Sequence, residues 1–149
     1  MSSLEDNLKS LQGYAKAIND VKNKSVYVGL PKEKATKNYE DGASIIEIGA
    51  VHEFGMDNIP QRSFLRVPFA ENKKEIDAFI QKRFEMSGKE IAPIKALEQI
   101  GVFAEGISKR SFVENDWVAN SPFTIAKKGS SSPLIDTGNL RNSITSIVR

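Results

Sequence analysis

The sequence predicts an α+β fold: a small β-sheet packed against about four helices, two of them long and paired as an αα-hairpin. Three observations predict it. Two long stretches repeat apolar residues at steps of three and four, the helical period. Only two short runs, Ser25–Leu30 and Ser143–Val148, read as strands, and they pair most simply with each other. The length, 149 residues, is that of one domain. It divides into an N-terminal helix, 1–23, and a core, 24–149.

Leu4, Leu8, Leu11, Ala15, Ile18 and Val21 stack on one face of the first helix, and Ser2 with Glu5 has capping-box spacing. A stripe on an otherwise polar helix predicts packing on the domain or on another subunit. Ser25–Leu30 is stopped by Pro31. Lys32–Gly42 is polar and without period, hence an exposed loop. Ser44 and Glu47 repeat the capping-box spacing, Ile45, Ile48 and His52 share a face, and Gly55 stands at a C-cap position, which defines a helix of about three turns. Asn58–Ser63 is a turn in which Pro60 disfavours helix at Ile59 and Ser63 can cap the next helix.

A long helix then spans Phe64–Met86, bent at Pro68, with Phe69, Ile76, Phe79, Ile80 and Phe84 as its buried stripe. Ser87-Gly88 ends it. Pro93 suits the first turn of a second long helix that runs through Ile94, Leu97, Ile100 or Gly101, Ala104, Ile107 and Phe112. Asn115–Pro133 has no period and reads as a functional or mobile loop. Asp136-Thr137-Gly138 breaks into a short turn or helix carrying Leu140 and Arg141, and the final strand comes next. Two strands alone are marginal, so a third strand from a loop or a neighbouring subunit is expected to complete the sheet.

Composition narrows function. No cysteine excludes disulfides, thiolate catalysis and Cys-ligated zinc, and one histidine, His52, excludes a two-histidine metal site. The longest apolar runs are a few residues, against about 20 for a membrane span, and the start lacks the basic and apolar regions of a signal peptide. His52-Glu53 fails as a zinc-protease signature because position 56 is Met. No Gly-x-Ser-x-Gly elbow accompanies it, so His52 reads as structural or interfacial rather than as the centre of a hydrolase. Gly129-Ser130-Ser131-Ser132 lacks P-loop spacing and reads as a solvated loop, as do the exposed carboxylates Glu40-Asp41. Arg62 and Arg66 beside Phe64 have the composition of interface anchors. Net charge is only +2, yet residues 107–149 hold 6 basic and 3 acidic side chains. A basic-patch nucleic-acid-binding module using Lys109, Arg110, Lys127, Lys128, Arg141 and Arg149 is therefore the alternative reading.

Two segments exceed what propensity explains. One is Ile48-Gly49-Ala50-Val51-His52-Glu53-Phe54-Gly55 followed by Ile59-Pro60-Gln61-Arg62-Ser63-Phe64-Leu65-Arg66; the other is Ser121-Pro122-Phe123-Thr124-Ile125-Ala126-Lys127-Lys128-Gly129 with Pro133-Leu134-Ile135-Asp136-Thr137-Gly138-Asn139-Leu140-Arg141-Asn142-Ser143-Ile144. In this order, separated by the two long helices, they resemble the virion-morphogenesis proteins of tailed bacteriophages, the group of tail-completion and head–tail joining (neck) proteins. The resemblance covers residues 25–149. Ser63 departs from it, standing where the family usually has proline.

The resemblance implies a non-enzymatic structural subunit without cofactor or metal, assembled in the host cytoplasm into the virion neck. Its implied partners are further copies of itself in a ring, the connector or adaptor, and the tail-tube or tail-terminator proteins. Non-specific contact with DNA in the channel is also implied, and no membrane contact. Subunit or partner contacts are expected at His52, Glu53, Phe54, Arg62, Phe64 and Arg66 in the first block, and at Thr124, Lys127, Lys128, Asp136, Thr137, Leu140 and Arg141 in the second.

Overall fold

The computed structural model describes residues 3–33, 42–88, 90–114, 117–122, 125–126 and 138–149. The expected loops at 32–42 and 115–133 lie mostly outside these residues, as do the candidate site residues Thr124, Lys127, Lys128, Asp136 and Thr137.

The chain runs α1 (Leu4–Val21), β1 (Val26–Gly29), α2 (Ile45–Phe54), α3 (Arg66–Glu71), α4 (Lys73–Met86), α5 (Pro93–Glu114), α6 (Asn139–Ser143) and β2 (Thr145–Val148). This is an α+β arrangement organised around α5, against which both strands, α1, α3, α4 and α6 pack. Pro93 occupies the first position of α5, where its missing N–H would have had no partner. None of these helices is long and apolar enough to cross a membrane.

The two strands pair antiparallel with Val26 opposite Val148 and Gly29 opposite Thr145. Ser25 and Arg149 exchange backbone hydrogen bonds of 2.6 and 3.0 Å beyond the last pair. Among the described residues the sheet has only these two strands. It is stabilised by lying on α5 rather than by width. Gly101 permits the close approach: a Cβ there would come within 2.9 Å of the Ser146 Cβ and 3.1 Å of a Val26 methyl. One turn along, the Glu105 carboxylate accepts hydrogen bonds from the Ser146 N–H at 2.9 Å and its hydroxyl at 3.3 Å. Lys109 approaches the same carboxylate at 2.7 Å. Burial alone would raise the Glu105 pKa, but the ammonium and the Ser146 donors outweigh it and hold the carboxyl below its ordinary value.

Helices α4 and α5 form the expected hairpin. Phe79 stacks on Phe103 with centroids 4.0 Å apart and rings parallel within 2°, and Arg83 donates to the Gln99 side chain at 3.1 Å. Moving four residues forward along α4 moves four back along α5, the signature of an antiparallel pair. The expected single helix 64–86 is corrected in two ways. Its break falls at Asn72 rather than Pro68, because Pro68 sits in the first turn of α3, where it is tolerated. There the Asn72 amide donates to the Pro68 carbonyl at 2.8 Å. The start moves to Arg66, since hydrogen bonds to Glu53 and Ser108 hold Ser63–Leu65 out of the helix. Phe84, expected in the buried stripe, is exposed.

The capping box of α1 is Ser3 with Asp6, one residue later than expected; that of α2 is Ser44 with Glu47, as expected. The main core cluster unites Ile45, Phe64, Phe112, Leu140 and Ile144, flanked by Val28, Leu30, Leu65 and Trp117. Phe64 and Phe112 meet at 5.2 Å with rings tilted by 53°. Each such side chain contributes about 1.5–3 kcal/mol by leaving water.

Candidate functional site

The first motif block folds into a corner between α2 and α3. Gly55 ends α2 at φ 75°, and a Cβ there would lie 3.1 Å from the Gln61 nitrogen, so the turn requires glycine. Met56 and Ile59 exchange backbone hydrogen bonds of 3.1 and 2.7 Å around Asp57, whose φ is 43°. The chain returns antiparallel to its entry, and the Arg62 N–H donates to the His52 carbonyl at 2.7 Å.

Glu53 is the hub of this corner. Only 4% exposed, its carboxylate accepts from the Ser63 hydroxyl at 2.7 Å, from the Leu65 and Arg66 N–H groups at 3.0 Å each, and from Arg66 Nε at 3.0 Å. It thereby satisfies the otherwise orphaned donors that open α3. Ser63 uses its oxygen twice: it also accepts from the Val67 N–H at 3.1 Å. The Glu53 carbonyl accepts from Gln61 and from Arg66 at 3.1 and 3.0 Å.

Arg62 turns the other way. It is 5% exposed and donates to the Val118 carbonyl through Nε at 3.0 Å and NH2 at 2.8 Å, and to the Ala119 carbonyl at 3.3 Å. Burial lowers its pKa from the ordinary arginine value. These bonds tie residues 117–120, over 50 positions away, to the corner. Ser108 of α5 completes the clamp by donating to the Phe64 carbonyl at 2.7 Å.

Among the described residues, most of the expected contact residues therefore hold this chain together. Glu53, Arg62, Phe64 and Leu140 have buried side chains, so they shape a surface from beneath instead of lining it. Arg141 anchors α6 to α5 by donating from Nε to the Lys109 carbonyl at 3.1 Å. His52 is half-buried on α2. The residues that do reach solvent are Phe54, Met56, Ile59 and Val67, with the Arg66 guanidinium 4.6 Å over the Phe54 ring. This is an apolar patch rimmed by one cation, mounted on a hydrogen-bonded base. Met56, Ile59 and Val67 were not among the expected contact residues; the signal for Met56 and Ile59 was their flanking of the polar Asp57-Asn58 turn.

Of the six basic residues of the alternative reading, Lys127 and Lys128 lie outside the described residues, Arg141 donates to a backbone carbonyl, and the other three meet carboxylates. Lys109 pairs with Glu105, Arg110 with Glu75 and Glu114 at 3.3 Å each, and Arg149 with Glu33 at 2.8 Å. A hydrogen bond from its own backbone and the Arg149 charge hold the Glu33 carboxyl below its ordinary value. That last pair borders an open cleft of about 300 Å³ over the outer face of the sheet, floored by Tyr27, Thr145 and Ile147.

The two motif blocks, far apart in the chain, meet at one place: Phe64 of the first and Leu140 and Ile144 of the second share the core cluster with Phe112 of α5. No protein-family model, curated protein or solved structure matches this chain.

Proposed function

We propose that the chain is a structural subunit of the neck of a tailed bacteriophage, completing the tail and joining it to the head as part of a ring. The reading rests on the two ordered sequence blocks. The observation that carries it furthest is the α2–α3 corner, where buried Glu53 and Arg62 rigidify an exposed apolar and aromatic patch. Interface centres are built in this way, from aromatic residues, Met and Arg on a base that does not move on binding. Ring subunits need a patch of this kind facing a different surface of the next copy. On this reading the partners are further copies, the connector or adaptor and the tail-terminator or tail-tube proteins, and the location is the virion.

The decisive experiment is to produce phage without this chain and image the particles. Separate filled heads and finished tails are expected. Joined, infectious virions formed without it would overturn the proposal.

A further inference from the structure

The two edges of the β1–β2 sheet differ. Ser25 and Arg149 exchange both of their backbone hydrogen bonds, so the exchange recurs at the Tyr27–Ile147 and Gly29–Thr145 pairs. The N–H and C=O groups of Val26 and Val28 therefore point away from β2, and those of Ser146 and Val148 point away from β1. On the β2 side the Glu105 carboxylate accepts from the Ser146 N–H at 2.9 Å, which closes that edge to a further strand. On the β1 side the outward groups of Val26 and Val28 have no partner among the described residues. Helix α5 lies under the face of β1, with Gly101 against Val26, and does not cover the edge.

The charges around that edge say what fits it. Residues 22–32 carry three lysines, Lys22, Lys24 and Lys32, and no carboxylate. All three are exposed. None pairs with a carboxylate among the described residues, the neighbouring Glu33 being held by Arg149. Two copies of this edge pairing antiparallel through Val26 and Val28 would set the Lys22 end of each against Lys32 of the other, and like charges placed opposite are destabilising. Lysines guard an edge against its own kind in this way. They attract an acidic strand. Beside the edge, the open cleft of about 300 Å³ runs along β1 from Tyr27 to Glu33, and every second side chain of an added strand would be directed to that face of the sheet.

We propose that the β1 edge receives a third strand from a different protein, an extended segment with acidic residues on both sides of a short β-forming stretch. Val26 and Val28 supply it with two N–H donors and two carbonyl acceptors, which align it whatever its sequence. Lys24 and Lys32 stand at the two ends of those groups and select its charge. Its side chains next to Tyr27 enter the cleft. Two strands alone are marginal, so the added strand also widens a sheet that otherwise leans on α5. The edge is separate from the α2–α3 corner, and the inference goes beyond the neck reading: it names the chemistry of a partner segment at a second surface.

Amide exchange followed by NMR tests the edge, and a synthetic peptide tests the partner. In the chain alone, the Tyr27 and Gly29 amides, bonded to β2, should exchange far more slowly than those of Val26 and Val28. A peptide of alternating valine and threonine flanked by glutamates should slow the Val26 and Val28 amides. It should bind about tenfold more tightly than the same peptide flanked by lysines. The double variant Lys24→Glu with Lys32→Glu, changed only at exposed positions, should reverse that preference. Val26 and Val28 amides already as slow as those of Tyr27 and Gly29 would mean that this chain or a second copy covers the edge, which overturns the proposal. So does an acidic peptide that leaves them fast, or that binds no better than the basic one. None of these results touches the neck reading, which stands or falls with the phage made without this chain.

Discussion

The α2–α3 corner and helix α1 are built from opposite materials. The corner buries a carboxylate, a guanidinium and two serine hydroxyls, and each has a partner. Its short-range pattern is weak, but its residues are locked to positions up to 57 apart. Helix α1 has a clear period and a complete capping box, yet buries no residue. A polar network inside a protein stabilises only when complete, so one substitution there leaves several donors stranded. An exposed stripe has little to lose within its own chain.

Substitutions can break this contrast. The largest expected effect is Glu53→Ala, which strands the Ser63, Leu65 and Arg66 donors and should cost about 3 kcal/mol in the denaturant midpoint of unfolding. Glu53→Gln should recover little, because its amide would put N–H groups against the donors that either carboxylate oxygen now accepts. A neutral Glu53→Ala would show that the corner is not a rigid base.

An intermediate effect is expected at Glu105, which stands between the two cases, part-buried and tied to Ser146. Its folded pKa is depressed, so its stabilisation is complete above the unfolded carboxylate value and is lost as pH falls through the lower folded value. Glu105→Gln should cost about 1 kcal/mol at neutral pH. The gap from the parent should close on acidification, as followed by thermal unfolding across pH. A gap that widens instead would show the carboxylate to be a burden to the fold.

The smallest effect is expected at Leu11→Ala. At a position 64% exposed, the change should stay within about 0.5 kcal/mol for the dilute protein. A loss several times larger would mean that the stripe is covered within the chain, and the contrast with the corner would disappear.

Legibility in the sequence divides along the same line. Periodicity located α1, α2 and α5, and the alternation of Ile144, Ser146 and Val148 located the final strand, because these signals are local and each element obeys its own propensity. The pairing of β1 with β2 was also inferable, there being two candidate strands. The break at Asn72 was not: whether Pro68 bends a helix depends on where the helix starts, and that start is set by Glu53, thirteen residues from Arg66. The roles of the motif residues were likewise hidden. Arg62 read as an interface anchor from its composition beside Phe64, and Glu53 as a contact only through the resemblance; only their distant partners show why these two are inside.

The sequence by itself determined where α1, α2, α5 and the two strands lie, which end of α2 is closed by glycine, and that α1 carries an apolar stripe, since all of these depend on neighbours within a turn or two. Only the tertiary structure decided which charges are buried, which apolar residues of the corner face outward, and which face of α1 meets the body. Those outcomes depend on side chains brought together from distant positions, where burial and hydrogen-bond completion outweigh the intrinsic preference of any one residue.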